Sequence, residues 1–71
     1  MNDLKIEASG LKCPQPIILL ARRIIELEIG ETITLIADDP AAAYDVPAWC
    51  RMSNQELVSK TDFTFVIRRI T

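Results

Sequence analysis

The residues best suited to chemistry lie in the stretch LKCPQPII, residues 11–18, where a cysteine directly precedes two prolines spaced one residue apart. Proline is favoured at the start of a helix, because its missing N–H would have no partner in the first turn. The spacing predicts a helix that begins at Pro14, with Pro16 in its first turn and Cys13 at or beside the N-cap. Cysteine is a poor N-cap residue, so we expect its thiol to serve a purpose other than helix stability.

The predicted position also suggests how acidic this thiol should be. A helix N-terminus carries partial positive charge, which favours the thiolate and lowers the pKa of a cysteine from its free value of about 8.5. The charge of Lys12 acts in the same direction. Because the two prolines remove two N–H groups, we expect a moderate lowering of the Cys13 pKa.

The composition limits the reactions open to this thiol. The chain has no histidine, so neither a Cys-His dyad nor a catalytic triad can form. The second cysteine, Cys50, lies far from Cys13 in sequence and no CxxC occurs, which argues against a metal site and against a thioredoxin-like resolving thiol. We expect no metal and no cofactor. The remaining chemistry is thiol exchange, in which Cys13 attacks a sulfane sulfur, holds it as a persulfide and surrenders it to another thiol.

The length and the net charge of the chain indicate how many domains it forms and which kinds of partner it can bind. With 71 residues, 49% of them hydrophobic, the chain is expected to form one domain, residues 1–71, with a small core. The net charge of −2 argues against direct binding of nucleic acid, which needs a basic face. Residues 1–3 are polar and acidic, unlike a signal peptide, and no apolar run is long enough to span a bilayer. We therefore expect a cytoplasmic protein with reduced thiols and no membrane contact.

Hydrophobic periodicity predicts the order β-α-β-α-β-β. Residues 4–8 alternate apolar and charged as in a half-buried strand, residues 14–29 have the apolar stripe of a helix, and residues 31–37 form a second strand. The stripe consists of Ile17, Leu20, Ile24 and Leu27, widened by Ile18 and Ile25. Strand, helix and strand at this spacing predict a parallel pair, and hence a two-layer α/β sandwich: a mixed four-stranded sheet with both helices on one face.

In the second half of the chain, proline sets the expected boundaries. Asp39 can cap a helix whose first residue is Pro40. Because Pro47 would cost about 3 kcal/mol inside a helix, we expect a short turn at 40–44 and the main second helix from about 46 to 53. Strands are expected at 56–60 and 63–70, joined at 61–62. Three residues of the last strand, Phe63, Phe65 and Ile67, should point into the core.

Several residues are expected to assist Cys13. Gly10 supplies a turn conformation and keeps bulk away from the thiol, and Lys12, Pro14 and Pro16 complete the site as supporting residues. The candidate contacts for a partner protein are Arg22, Arg23 and Asp45, although a solvated helix face explains the two arginines as well, and a turn or capping role explains the aspartate. Cys50 fits a buried structural thiol.

Residues 10–16, GLKCPQP, resemble the GxxCPxP signature of the TusA family of sulfur carriers, also called SirA-like. A second block, ADDP at 37–40 followed by DVP at 45–47, WC at 49–50 and EL at 56–57, is also similar to that family. The agreement in element order runs over nearly the whole chain. Glu7 stands where many members carry Asp, and Gln55 where members of the tRNA branch often carry His.

The resemblance implies a βαβαββ two-layer sandwich and a persulfide on Cys13, received from a cysteine desulfurase or a rhodanese-like donor. The sulfur would pass to an acceptor protein in tRNA 2-thiouridine synthesis, molybdenum-cofactor maturation or sulfur oxidation. Such a protein is a sulfurtransferase component with a covalent persulfide rather than a stand-alone enzyme.

Two other interpretations of the sequence remain. Cys13 could act as the thiol of a redox regulator, which would form a disulfide or be oxidised reversibly by peroxide. Alternatively, the chain could be a protein-interaction module. The absence of a nearby resolving cysteine favours the carrier, and we expect a monomer, because a carrier must expose its thiol to successive partners.

Overall fold

A computed structural model describes residues 4–71. The polar start at residues 1–3, which the sequence analysis distinguished from a signal peptide, lies outside the described residues. The element order is β1 (Leu4–Glu7), α1 (Gln15–Ile24), β2 (Thr32–Ile36), α2 (Ala42–Ser53), β3 (Glu56–Thr61) and β4 (Thr64–Arg68). This order confirms the predicted β-α-β-α-β-β arrangement.

The sheet has the strand order β1-β2-β4-β3, with β1 parallel to β2 and the other two pairs antiparallel. Side chains alternate between the two faces of a strand, and one face carries the apolar set. On that face Ile6 lies opposite Leu35, and Leu35 lies opposite Phe65. The two helices bury their apolar sides in the same core, through Leu20, Ile24, Val46 and Cys50 among others. The predicted two-layer α/β sandwich is therefore confirmed.

Helix α1 is shorter than its apolar stripe predicts. It ends at Ile24 rather than near residue 29, because the chain changes to tighter bonds in which the N–H groups of Glu26 and Leu27 donate to carbonyls three residues earlier. The guanidinium of Arg69 then donates to the carbonyls of Ile25 and Leu27. Leu27 stays buried while Ile25 is exposed, so the stripe continues beyond the helix but is narrower than expected.

Helix α2 corrects the expected turn at 40–44 and the expected start at 46. It begins at Ala42, with Ala41 as its N-cap, and runs through Pro47 to Ser53. Asp39 still bonds the start of the helix, since its Oδ1 accepts from the N–H of Ala41 at 3.0 Å. Proline removes the N–H that would bond the carbonyl four residues earlier. Here that carbonyl belongs to Ala43 and accepts from the Lys60 ammonium of β3 at 3.2 Å.

We expect Lys60→Met to destabilise the protein by about 0.5–1.5 kcal/mol, because the Ala43 carbonyl loses its partner while the alkyl chain is kept. The free energy of unfolding in urea is the measurement. Lys5→Met, which removes an exposed lysine from β1, is the matched control and should change little. Equal effects of the two substitutions would contradict the role given to Lys60.

The last two strands are displaced slightly from their predicted bounds. Phe65 and Ile67 are buried as expected, but Phe63 belongs to the turn before β4 and is 56% exposed. Its carbonyl instead accepts from the N–H of Ala37 at 2.9 Å. The prediction that Phe63 faces the core is therefore wrong, because Asp62, with φ of +49°, and Phe63 form the hairpin turn.

Candidate functional site

The parallel pairing of β1 and β2 brings two loops to the same edge of the sheet. We call residues 8–14, between β1 and α1, the thiol loop, and residues 37–41, between β2 and α2, the acidic loop. Because both loops leave the carboxyl ends of neighbouring parallel strands, their side chains meet. The N–H of Ala8 donates to the carbonyl of Ile36 at 2.7 Å, which joins the loops at their first residues.

Two aspartates of the acidic loop hold the thiol loop by its backbone. The Oδ1 of Asp38 accepts from the N–H of Gly10 at 2.9 Å, and the Oδ2 of Asp39 accepts from the N–H of Cys13 at 2.7 Å. Gly10 has φ of +83°, a conformation that costs a side-chain-bearing residue free energy, which agrees with its expected turn role. The position of Cys13 is therefore fixed by residues from the other end of the βαβ unit.

The carboxylate of Asp39 accepts hydrogen bonds from both loops. One of its oxygens accepts from the N–H of Cys13 and the other from the N–H of Ala41, so a single carboxylate links the backbone of the thiol loop to the start of α2. The hydrogen bonds from Ala41 and Cys13, with a smaller contribution from the charge of Lys12, hold the pKa of Asp39 below its usual value. The carboxylate is therefore ionised at neutral pH, and it places a negative charge near the thiol.

The start of α1 differs in one respect from the sequence prediction. Pro14 is the residue before the first helical residue, Gln15, and Pro16 is buried in the first turn. The Cys13–Pro14 peptide bond is cis. The helix still has no side-chain cap, and the carbonyl of Pro14 accepts from the N–H of Ile18 at 3.0 Å. The two prolines therefore direct the chain from the thiol into the helix, as expected.

The expected lowering of the Cys13 pKa is wrong in sign. Burial raises the pKa of the Cys13 thiol to about 11, together with a hydrogen bond to the Asp45 carboxylate and the negative charges of Asp45 and Asp39. The side chain is partly buried and packs against the core. Desolvation and two carboxylates thus act in the direction opposite to the one expected from the helix end and Lys12.

Two grooves are lined by residues next to Cys13 in the chain. One, of about 280 Å³, is lined by residues 10–12 of the thiol loop and residues 38–40 of the acidic loop. The other, of about 320 Å³, runs between the helices and is largely apolar. Its lining consists of Pro14, Ile17, Asp45, Ala48, Trp49 and Met52. The residues directly before and after Cys13, Lys12 and Pro14, therefore line two different grooves, and Asp45 is the charged residue of the apolar one.

The two cysteines occupy different environments. Both are free thiols, but Cys50 is only 2% exposed and belongs to the core, in agreement with its expected structural role. Burial raises its pKa, against the opposing charge of Arg51. Cys13 is accessible from the surface at the meeting point of the two loops. A reagent or a partner protein therefore reaches Cys13 first.

The structure brings together most of the predicted site residues. Gly10, Lys12 and Pro14 lie with Cys13 in the thiol loop, and Pro16 is buried in the first turn of α1. Of the three candidate partner contacts, Asp45 faces the thiol. Arg22 and Arg23 lie in the last turn of α1, at the far end of the helix, where Arg23 pairs with Glu26 at 2.9 Å.

Asp38 and Asp39 bind the backbone of the thiol loop but are not among the predicted supporting residues of Cys13; Asp39 was expected to cap the second helix. The signal that could have identified them was present, because the ADDP block directly follows the strand predicted to lie parallel to β1. Likewise Gln55, the residue that differs from the tRNA branch, has a structural role: its Oε1 accepts from the N–H of Ile70 at 2.8 Å.

Two further observations concern metal binding and membrane-spanning helices. Within residues 4–71, no group of three or more histidine, cysteine, aspartate or glutamate side chains is placed to hold a metal ion. Neither of the helices described above has the length and hydropathy of a membrane-spanning segment.

Comparison with protein families agrees with the geometry around Cys13. The sequence model of the sulfurtransferase TusA family matches residues 4–69, which include every strand and helix of the fold, the thiol loop and the acidic loop. A sulfur carrier or sulfurtransferase role follows from that membership, together with contacts to proteins that donate and accept sulfur. This chain belongs to the TusA sulfurtransferase family.

Proposed function

We propose that this protein carries sulfane sulfur as a persulfide on Cys13. The sulfur comes from a cysteine desulfurase or a rhodanese-like donor and passes to a thiol of an acceptor protein. The observation that carries the proposal is the placement of Cys13, a free and accessible thiol whose backbone is fixed by Asp39. A fixed thiol beside open grooves allows a partner's sulfur to approach along the direction that exchange requires.

Loading and unloading are redox-neutral exchanges. In loading, the Cys13 sulfur attacks the outer sulfur of a donor persulfide; a new S–S bond forms as the donor's S–S bond breaks, and the proton lost by Cys13 ends on the donor thiol. Unloading is the same reaction with an acceptor thiol as the attacking group. The chain itself supplies no oxidant, and none is needed.

The proteins that donate sulfur to the carrier and accept sulfur from it determine which pathway it serves. The acceptors that the family resemblance suggests belong to tRNA thiolation, molybdenum-cofactor maturation and sulfur oxidation. Contact with nucleic acid would run through the acceptor protein, because the chain has net charge −2. We place the chemistry in the cytoplasm, where thiols stay reduced, and we propose that the carrier works as a monomer with Cys13 as its one exchanging thiol.

The redox-regulator alternative is less well supported by the site. Peroxide-sensing cysteines have low pKa values, because the thiolate is the species that reacts. The pKa of Cys13 is raised to about 11, which disfavours such a reaction at neutral pH. A sulfur carrier can function with this raised pKa, because a partner protein positions the donor persulfide next to the Cys13 thiol.

Incubation with a cysteine desulfurase and cysteine, followed by intact-mass spectrometry, tests the proposal. We expect wild type and Cys50→Ser to gain the mass of one sulfur atom, removable by reductant, and Cys13→Ser to gain none. A rhodanese with thiosulfate is the second donor. Absence of the added sulfur with both donors, or its presence in Cys13→Ser, would contradict a carrier role for this thiol.

A further inference from the structure

Asp45 is the residue of the site whose position the carrier reaction does not by itself explain. It lies in the first turn of α2, close enough for its carboxylate to act on the Cys13 thiol as a hydrogen-bond acceptor and as a negative charge. It also lines the apolar groove together with Pro14 and Trp49. A carboxylate beside a thiol that must be ionised to react is unfavourable for exchange, so its placement calls for a function.

The groups that act on the thiol come from two elements. Asp45 faces it from α2 as hydrogen-bond acceptor and as negative charge, and Asp39 adds negative charge from the acidic loop. Lys12, the cation of the thiol loop, acts on Asp39 instead. Asp39 already has two backbone N–H partners, which partly satisfy its charge. Asp45 is thus the carboxylate with the most direct effect on the sulfur.

Sulfur leaves Cys13 when an acceptor thiolate attacks the outer sulfur of the persulfide. The bond between that sulfur and Sγ breaks, its electron pair goes to Sγ, and the proton lost by the acceptor thiol ends there, so no net oxidation occurs. A negative charge beside Sγ opposes this step in two ways. It makes the departing Cys13 thiolate a poorer leaving group, and it repels the incoming thiolate.

We propose that Asp45 is the residue that retains sulfur on the carrier, slowing both loss of sulfane sulfur from Cys13 to small thiols and reaction of the empty thiol with small electrophiles. The discharge part of this proposal rests on the proposed carrier function; the protection of the empty thiol does not. A partner protein that offsets the charge of Asp45 on docking would remove this barrier, so exchange is reserved for bound partners.

Two assays in the Cys50→Ser background test the proposal. The first measures alkylation of the empty Cys13 by iodoacetamide across a range of pH, and it involves no sulfur transfer. The second loads Cys13 with inorganic polysulfide and follows loss of the added sulfur to glutathione by intact mass. Asp45→Asn removes the charge and keeps the shape, Asp45→Glu restores a carboxylate, and Glu28→Gln removes one from an exposed position in the loop after α1.

We expect Asp45→Asn to speed alkylation at about pH 7 by about threefold for each unit that the thiol pKa falls, since tenfold more thiolate is offset by its lower nucleophilicity. Sulfur loss to glutathione should also accelerate, by about threefold or more. Asp45→Glu should return both rates towards those of the parent, and Glu28→Gln should leave them unchanged. Thermal unfolding of each variant verifies that it is folded.

An unchanged or slower rate in either assay for folded Asp45→Asn would overturn the proposal, as would an equal effect of Glu28→Gln. If the carrier function itself were wrong, the assays would give a different set of results. In that case the protein donors would not load Cys13, while the alkylation rates would still separate Asp45→Asn from its parent.

Discussion

The rate at which iodoacetamide alkylates Cys13 is expected to rise about tenfold for each pH unit above about pH 7, and to level off only near a pKa of about 11. The thiolate is the reacting species, and at about pH 7 roughly one Cys13 side chain in ten thousand is ionised. Burial is the first cause of the shift, followed by the hydrogen bond and charge of Asp45 and by the charge of Asp39.

Intact-mass measurement of alkylation in the Cys50→Ser variant isolates Cys13 for this experiment. The same variant unfolded in urea is the control, because its thiol loses both carboxylates and should titrate near the free value of about 8.5. Below that pH the unfolded chain should react faster than the folded one. A plateau at or below about pH 8.5 in the folded protein would show that the helix end, rather than Asp45 and Asp39, sets the acidity.

The sign of the shift also determines how Cys13 affects folding stability. The folded state binds the thiol proton more tightly than the unfolded state, since the pKa rises to about 11 on folding. Its contribution to stability is therefore fully present below about pH 8.5 and is lost as the pH rises towards the folded value. The protein should be less stable in alkali on account of this group.

Phe65→Ala is expected to destabilise the protein by about 3–5 kcal/mol, a large part of the stability of so small a domain. The ring is 1% exposed and lies at the centre of the sheet, where β4 is paired on both sides. Truncation leaves a cavity between Leu35 and the helices, and the rigid strands on either side cannot close it. Urea unfolding gives the free-energy difference, or shows that the variant no longer folds.

Phe63→Ala is the matched control for this substitution. It removes the same side chain two residues earlier, from the hairpin turn, where the residue is 56% exposed. We expect its effect to stay within about 0.5 kcal/mol, as for other surface positions. Similar losses for the two phenylalanines would mean that Phe63 packs into the core after all and that the turn is placed wrongly.

The elements of this fold could be predicted because their signals are local. Alternation in β1, the stripe of α1 and the spacing of the βαβ unit each depend on neighbouring residues. The start of the second helix could not be predicted in the same way. Pro47 is a strong local signal against a helix, and the carbonyl of Ala43 that it leaves without a backbone partner is bonded by Lys60, a residue of the following strand.

The acidity of the thiol was mispredicted for a related reason. The helix end and Lys12 are close to Cys13 in sequence, and both argue for a lowered pKa. Burial in the folded protein raises the pKa most, and the carboxylates that raise it further, Asp45 and Asp39, belong to α2 and to the acidic loop. The CPxP motif alone therefore identifies the reactive cysteine but gives the wrong direction for the pKa of its thiol.

The backbone bonds from Gly10 and Cys13 to the acidic loop span 28 and 26 residues of chain. During synthesis from the N-terminus, Cys13 leaves the ribosome before either aspartate of that loop, and before Asp45. A nascent or incomplete chain therefore carries an ordinary cysteine, open to oxidation and alkylation at neutral pH. The thiol becomes resistant to such damage only when the acidic loop and α2 have packed against the thiol loop, so the period of chemical vulnerability ends with folding.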